Sequence, residues 1–234
     1  MLLMVALLPL AACQSNAEKG EASQPSGSGA TRSFAASGFT GVDLRGSDDV
    51  DVKTGQNFSV TAEGDPKVLD QLDIRVVDGT LRVARKDKAW LGNDRGARIH
   101  VVMPTLAAAA VSGSGDLSAD HAEGDFSGAV SGSGNLTIAE LRAGNADLSI
   151  AGSGDLNVAG SASKLSVSIA GSGDIDAKKL TATSADVSIA GSGNVFGTVH
   201  GPASVSIVGS GDAELGGGAK CSVSALGSGE AHCS

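Results

Sequence analysis

The sequence has no tyrosine and a single tryptophan, and aromatic residues make up only 3% of its 234 residues. Enzymes that cut polysaccharides usually need aromatic platforms in a groove, so this scarcity disfavours them. Proline is also rare, at 5 residues, which argues against a proline-rich disordered chain. Lys and Arg number 17 against 26 acidic residues, a net charge of −9, whereas nucleic-acid binding needs a basic footprint. The sequence therefore predicts a folded protein without a nucleic-acid partner.

Glycine, in contrast, is abundant, with 34 residues, and much of it lies in a repeat. Gly-Ser-Gly followed by Asp, Asn or Glu occurs seven times, at steps of 18 to 20 residues. The motifs begin at Gly113, Gly132, Gly152, Gly171, Gly191, Gly209 and Gly227. A fixed period of this size is typical of repeat architectures.

Apolar residues recur at fixed distances from each motif. Those two positions before the first glycine are Val111, Val130, Ile150, Ile169, Ile189, Ile207 and Ala225. Four positions after it, most motifs have another apolar residue, such as Leu117, Leu136 and Leu156. Polar residues alternate with them, as expected for a strand with one buried face on each side of a turn. A third, short side of the repeating unit is predicted by three further apolar residues, Leu141, Leu180 and Val199.

A unit of about 19 residues cannot bury its own apolar face, but stacked units bury a continuous column. The pattern therefore predicts an all-β parallel β-helix, that is, a β-solenoid. A β-sandwich of hairpins would also give alternation, yet the strict register favours the solenoid. We expect regular coils over 105–234 and irregular starting coils over 33–104. Within the latter, the sequence predicts a helical turn after Asp65 and a hairpin around Asp78-Gly79.

The amino terminus is typical of an exported lipoprotein. Residues 1–12 are apolar and too few to span a bilayer, and they fit a signal peptide. Leu10-Ala11-Ala12-Cys13 resembles the bacterial lipobox, in which the cysteine is acylated and becomes the first mature residue. Residues 13–32 then predict a flexible tether rich in Ser and Gly. We expect membrane attachment through Cys13 and, because Gln14 follows it, an outer-membrane location facing the periplasm or the surface. A chance cysteine is the alternative.

Export also bears on Cys221 and Cys233. An oxidising compartment makes a disulfide between them the expected state. Such a bridge would join the two arms of the last coil and help to close its open end. A zinc site with His232 is the alternative, although the ligand spacing does not suit it.

Three stretches of the sequence resemble a known family. Ser37-Gly38-Phe39-Thr40-Gly41-Val42, Val77-Asp78-Gly79-Thr80-Leu81, and Met103-Pro104-Thr105-Leu106 before the first motif are similar to the head GIN domain. The resemblance covers about residues 34–230 and implies a right-handed parallel β-helix. The family's description as an autotransporter-adhesin head is an analogy from fold, which does not by itself fix function. It implies no catalytic residues.

The residue after each motif forms an acidic ladder that could hold a weakly bound calcium ion. Its aspartates, the candidate ligands, are Asp116, Asp155, Asp174 and Asp212, and oxygen ligands in rows suit hard cations. The alternative is that each side chain caps its turn by accepting a backbone N–H. A second candidate is a basic stretch around Trp90, comprising Arg82, Arg85, Lys86, Lys88, Arg95 and Arg98. It would either contact anionic envelope polymers or form a solvated loop.

These features predict a structural or adhesin-like binding module of the cell envelope, without catalysis or a required cofactor. The expected partners are the membrane, through the anchor, and an envelope polysaccharide or protein. The alternatives are an accessory or sensing protein that binds a polysaccharide or divalent cation, and a carbohydrate-active β-helix enzyme. Self-association is also expected, since an open β-helix end can pair with another chain.

Overall fold

The computed structural model describes residue 20, residues 22–86 and residues 96–234, and this part of the chain is almost entirely β-structure. A single short helix, α1 (Pro66–Leu69), starts at the predicted cap Asp65, whose side chain accepts the backbone N–H of Lys67. No helix in this part is long and apolar enough to cross a membrane. The strands are β1 (Pro25–Ser26), β2 (Thr31–Phe34), β3 (Gly41–Gly46), β4 (Asp49–Thr54), β5 (Ser59–Glu63), β6 (Leu72–Val77), β7 (Thr80–Arg85), β8 (Arg98–Met103), β9 (Ala108–Gly113), β10 (Leu117–Ala119), β11 (Ala122–Glu123), β12 (Phe126–Gly132), β13 (Leu136–Gly152), β14 (Leu156–Gly171), β15 (Ile175–Gly191), β16 (Val195–Val199), β17 (Pro202–Gly209), β18 (Ala213–Gly216), β19 (Lys220–Gly227) and β20 (Ala231–Cys233).

The strands stack in parallel ladders, which confirms the β-solenoid. The first face consists of β7 and the strands that end at a motif glycine, in the order β7-β3-β9-β12-β13-β14-β15-β17-β19. The second face consists of β8 and the strands that follow a motif, in the order β8-β4-β10-β13-β14-β15-β16-β18-β20. A short third side pairs Ala122 with Leu141, Leu141 with Gly160, and Gly160 with Leu180.

The core is the column of apolar side chains that the repeat predicts. Ile150, Ile169 and Ile189 lie in register on three successive rungs and are almost completely buried. Leu136, Leu156 and Ile175 form the matching column on the second face. Because each rung covers its neighbours, burial depends on stacking and no rung has a core of its own.

The region before the repeats differs from a simple series of starting coils. The rung β3–β4 lies between β7–β8 on one side and β9–β10 on the other, so spatial order departs from chain order. Antiparallel strands close this end: β6 pairs with β7 in the predicted hairpin, and β5 pairs with β8. β6 and β5 thus cover the outer edges of β7 and β8, which would otherwise be exposed.

Part of the segment expected to be a flexible tether forms β-strands in the described residues. Ser26-Gly27-Ser28-Gly29 leads from β1 back into β2, and the two strands pair antiparallel. β2 in turn pairs with β5, and Phe34 is buried in the core. The Ser/Gly composition hid this strand, because Phe34 is its only strong apolar anchor. Cys13 and residues 1–12 lie outside the described residues.

The opposite end of the coil finishes with β19 and β20. Cys221 and Cys233 form the predicted disulfide between these strands, with Cα atoms 6.3 Å apart. Since the cysteines are bonded to each other, no thiolate is left for zinc, and the His232 zinc alternative is wrong.

Candidate binding surfaces on the coil

The motif glycines are required by the close approach of successive rungs. Gly152 has φ +137°, a conformation that residues with a side chain rarely adopt. Gly154 has no such restriction, but a Cβ there would lie 2.0 Å from the carbonyl oxygen of Gly134. The two glycine positions of the corner therefore have room for backbone alone. The Gly-Ser-Gly sequence is thus an architectural motif, and functional groups must lie elsewhere on the rung.

The residue after each motif forms a continuous hydrogen-bonded ladder. Its backbone N–H donates to the side-chain Oδ1 of the equivalent residue on the previous rung, as in Asn135 to Asp116 at 3.1 Å and Asp155 to Asn135 at 3.1 Å. The same bond recurs at Asp174, Asn194, Asp212 and Glu230. These side chains therefore cap the turn of the neighbouring rung, a form of the capping alternative that the sequence left open.

The two Asn residues of the ladder each add a second hydrogen bond, which reduces the repulsion between carboxylates along the row. Asn135 and Asn194 each donate their side-chain amide to the carboxylate below, at 2.8 and 3.0 Å. Carboxylates about 4.8 Å apart would repel one another, and the amide interrupts that row. In the described part of the chain, no group of three or more His, Cys, Asp or Glu residues is arranged to hold a metal ion.

A concave area lies beside the lower half of this ladder, on the second face. We name it the polar concavity; its volume is about 440 Å³ and its lining is Asp49, Asp51, Arg98, Asp116, Leu117, Ser118, Asn135, Thr137, Asp155 and Asn157. The Asp51 carboxylate accepts the Ser118 hydroxyl at 2.7 Å, and Arg98 lies 3.7 Å from both Asp49 and Asp51. Hydroxyl, amide, carboxylate and guanidinium groups thus share one solvent-exposed hollow.

The sequence reasoning did not single out Asp49, and it placed Arg98 in the basic stretch and not beside the acidic ladder. Gly46-Ser47-Asp48-Asp49 is a degenerate version of the motif, and β3 pairs with β9 so that Gly46 faces Gly113. Aligning the two motifs would have placed Asp49 beneath Asp116 and extended the ladder by one rung. No sequence pattern places Arg98 beside Asp49, because its position depends on the packing of the rung β7–β8 next to the rung β3–β4.

The first face has a different outer surface, made mainly of serine. Ser149, Ser168 and Ser188 occupy one column in register, and Asp147, Ser166 and Asp186 the next. Together with Ser127 and Ser204 they line a shallow groove of about 320 Å³, which we name the serine face. Lys164 crosses it to Asp186 at 2.9 Å, and this hydrogen bond and the carboxylate charge raise the pKa of Lys164.

The basic stretch is largely engaged within the protein. Arg85 makes a two-pronged bond to Asp48, at 2.7 and 3.0 Å, and the Asp48 side chain is only 1% exposed. The same carboxylate accepts the backbone N–H of Ala97 at 2.8 Å. Arg82 lies 3.4 Å from Asp43, and Lys86 donates to the carbonyl of Asp70. These residues stabilise the capped end, while Lys88, Trp90 and Arg95 lie outside the described residues.

Several solved structures have the same fold. One from Bacteroides fragilis, titled a putative adhesin, has a TM-score of 0.81 at 20% identity, over 87% of this chain and 96% of that one. A "putative lipid binding protein" from Parabacteroides distasonis has a TM-score of 0.67 at 23% identity, over 87% and 96%. A putative adhesin from Parabacteroides merdae gives 0.64 at 20%, over 87% and 95%. At these identities the likeness shows the fold alone.

None of the curated proteins matches this sequence. Residues 38–231 match the family described as "Putative auto-transporter adhesin, head GIN domain", a range that covers nearly all of the regular coil and most of its capped end. The chain therefore belongs to the head GIN domain family, as its motifs predicted.

Proposed function

We propose that this chain is a lipid-anchored binding module of the cell envelope, adhesin-like and without a catalytic step. The observation that carries the proposal is the repetition of outward polar groups in register, as at Ser149, Ser168 and Ser188. Such rows offer many equal contacts about 4.8 Å apart to a repetitive or extended partner. Membership of an adhesin-named family supports the same role and a cell-envelope or surface location.

Attachment to the membrane rests on Cys13. The lipobox-like Leu10-Ala11-Ala12-Cys13 supports acylation, and several acyl chains would hold the protein stably where one alone would not. The test is growth with a clickable palmitate analogue. The wild-type chain is expected to carry the label and sediment with membranes. Cys13→Ser should lose both properties, and a labelled Cys13→Ser protein would refute the anchor.

The binding role is tested by capture from envelope fractions with the full chain in detergent. Ser168→Arg blocks the serine face, and Arg98→Ala removes the cation of the polar concavity. Ser192→Arg, on the exposed turn, is the matched control for the first variant. Loss of capture by one variant with retention by the control would identify the binding face. Failure of the wild-type chain to capture any component would contradict the proposal.

Binding of an envelope polysaccharide or a divalent cation is the second candidate, and the polar concavity favours it. Its mixture of donors and acceptors suits sugar hydroxyls, while Asp116 and Asp155 supply oxygens for a cation. Asp155→Asn keeps the capping oxygen but removes a charge, so it separates the two roles of the ladder. Calorimetry with calcium should show weaker heat for this variant than for wild type. Equal heats, or none from wild type, would exclude a cation at the ladder.

A further inference from the structure

The exposed large apolar side chains of the described residues all lie at one end of the coil. Val208, Val223 and Leu226 are 53%, 48% and 72% exposed, and they belong to the last two rungs. Val223 occupies a position that points into the core, where its equivalents Val167, Val187 and Val205 are buried. It is exposed because no rung covers it.

The two ends of the solenoid are closed differently. At the first end, Leu81 and Val83 of β7 and Ile99 of β8 are fully buried, and β5 and β6 pair with the strands of that rung. At the last end, β19 pairs only with β17 and β20 only with β18 among the described residues. One long edge of β19 therefore presents backbone donors and acceptors beside an open apolar core, an arrangement that favours pairing with another strand.

We propose that this end is an interface for a second copy of the same chain, with the two coils meeting last rung to last rung about a two-fold axis. Antiparallel pairing of β19 with β19 of the second copy satisfies both edges with one contact, as a two-fold interface requires. In the register that sets Val223 against Val223 of the second copy, inward positions face inward positions and the core becomes continuous. Head-to-tail stacking is not available, because the first end is already covered.

The charges of the last rung fit this arrangement. Lys220 stands at the start of β19, and Glu230 follows the turn after its end; both are exposed. Antiparallel pairing places Lys220 of each copy close to Leu226 of the other copy, at the end of the strand where Glu230 of that copy lies. The Lys stem can then cover Leu226 while its ammonium approaches the carboxylate. Residues 217–234 contain one Lys and one Glu, so two copies that meet at this rung bring no net charge of one sign together.

Sedimentation velocity of the full chain, in the same non-ionic detergent for all variants, tests the proposal. We expect a reversible dimer with a dissociation constant in the micromolar range, typical of a small interface. Leu226→Glu should weaken it by about tenfold or more. Ala151→Glu, at an exposed residue in the equivalent position four rungs away from Leu226, should leave it unchanged. Leu226 is mostly exposed, so its replacement spares the core.

Charge exchange supplies an independent test. Lys220→Glu and Glu230→Lys should each weaken the dimer, and the double variant should restore it, because every contact regains an opposite charge. A wild-type chain that stays monomeric over a hundredfold concentration range would overturn the proposal. Association that is equal in Leu226→Glu and Ala151→Glu, or a double variant no tighter than the single ones, would also overturn it. These outcomes are distinct from failure of envelope capture, which concerns the side faces of the coil.

Discussion

At the scale of single residues, the tightest constraint on the sequence is the distance between rungs at the Gly-Ser-Gly corner. We predict that Gly154→Ala destabilises the protein by about 3 kcal/mol, since its Cβ would meet the Gly134 carbonyl oxygen at 2.0 Å. Gly144→Ala is the matched control, because a Cβ there meets only the Asp125 side chain, at 3.0 Å. The control should change stability by no more than about 1 kcal/mol. Urea unfolding of both variants gives the comparison, and equal midpoints would show that the corner can relax.

The ladder beside the corner makes a second prediction at this scale. Asp155→Ala removes the acceptor for the Asp174 backbone N–H, a bond of 3.0 Å, and should cost about 1 kcal/mol of unfolding free energy. Asp155→Asn retains an oxygen in the same place, as Asn135 and Asn194 do naturally, and should unfold at nearly the wild-type urea concentration. If both variants lost the same stability, the negative charge and not the hydrogen bond would be the stabilising feature.

At the scale of the element, the last rung depends on the disulfide. Cys221 and Cys233 are 12 residues apart, and the bridge closes the loop that contains the final turn. Replacing both by Ala should destabilise this rung by roughly 2–3 kcal/mol. Stacked repeats interact mainly with their neighbours, so amide exchange should speed up by roughly tenfold or more in β19 and β20. β13 and β14 serve as the internal control, and faster exchange there as well would mean that the rungs unfold together.

The elements also show what the sequence could and could not predict. Each regular rung repeats the same buried positions, so the strands from β9 onward and the turns between them follow from the spacing, while the disulfide was predicted from the expected export of the chain. The capped end follows no repeat. Its outer strands run antiparallel to the strands with which they pair. β2 follows a Ser/Gly-rich segment and is anchored by one buried residue, Phe34. The polar concavity was missed for the same reason, since Arg98 reaches Asp49 and Asp51 only because chain order and spatial order differ there.

At the scale of the whole molecule, the solenoid is a row of rungs between two unlike ends. The antiparallel cap and the buried Asp48–Arg85 pair fix the first end, whereas the described residues at the last end show a disulfide and an open edge. The membrane anchor proposed at Cys13 precedes the capped end in the chain. An anchored molecule would therefore present its open end and both polar faces away from the point of attachment, which is where a partner or a second copy can reach them.

Because the rungs form a single stack, we expect the loss of stability caused by a core substitution to be largest in the neighbouring rungs. Ile169 is buried between Ile150 and Ile189 near the middle of the coil, and Ile169→Ala should cost about 3 kcal/mol. Ser168→Ala changes the adjacent exposed side chain and should stay within about 0.5 kcal/mol of wild type. Because rungs touch only their neighbours, hydrogen exchange in Ile169→Ala should rise in β13, β14 and β15, while β6 and β7 keep their protection. Exchange and urea unfolding together test this, and a uniform loss of protection from β6 to β20 would show that the coil unfolds as a single cooperative unit.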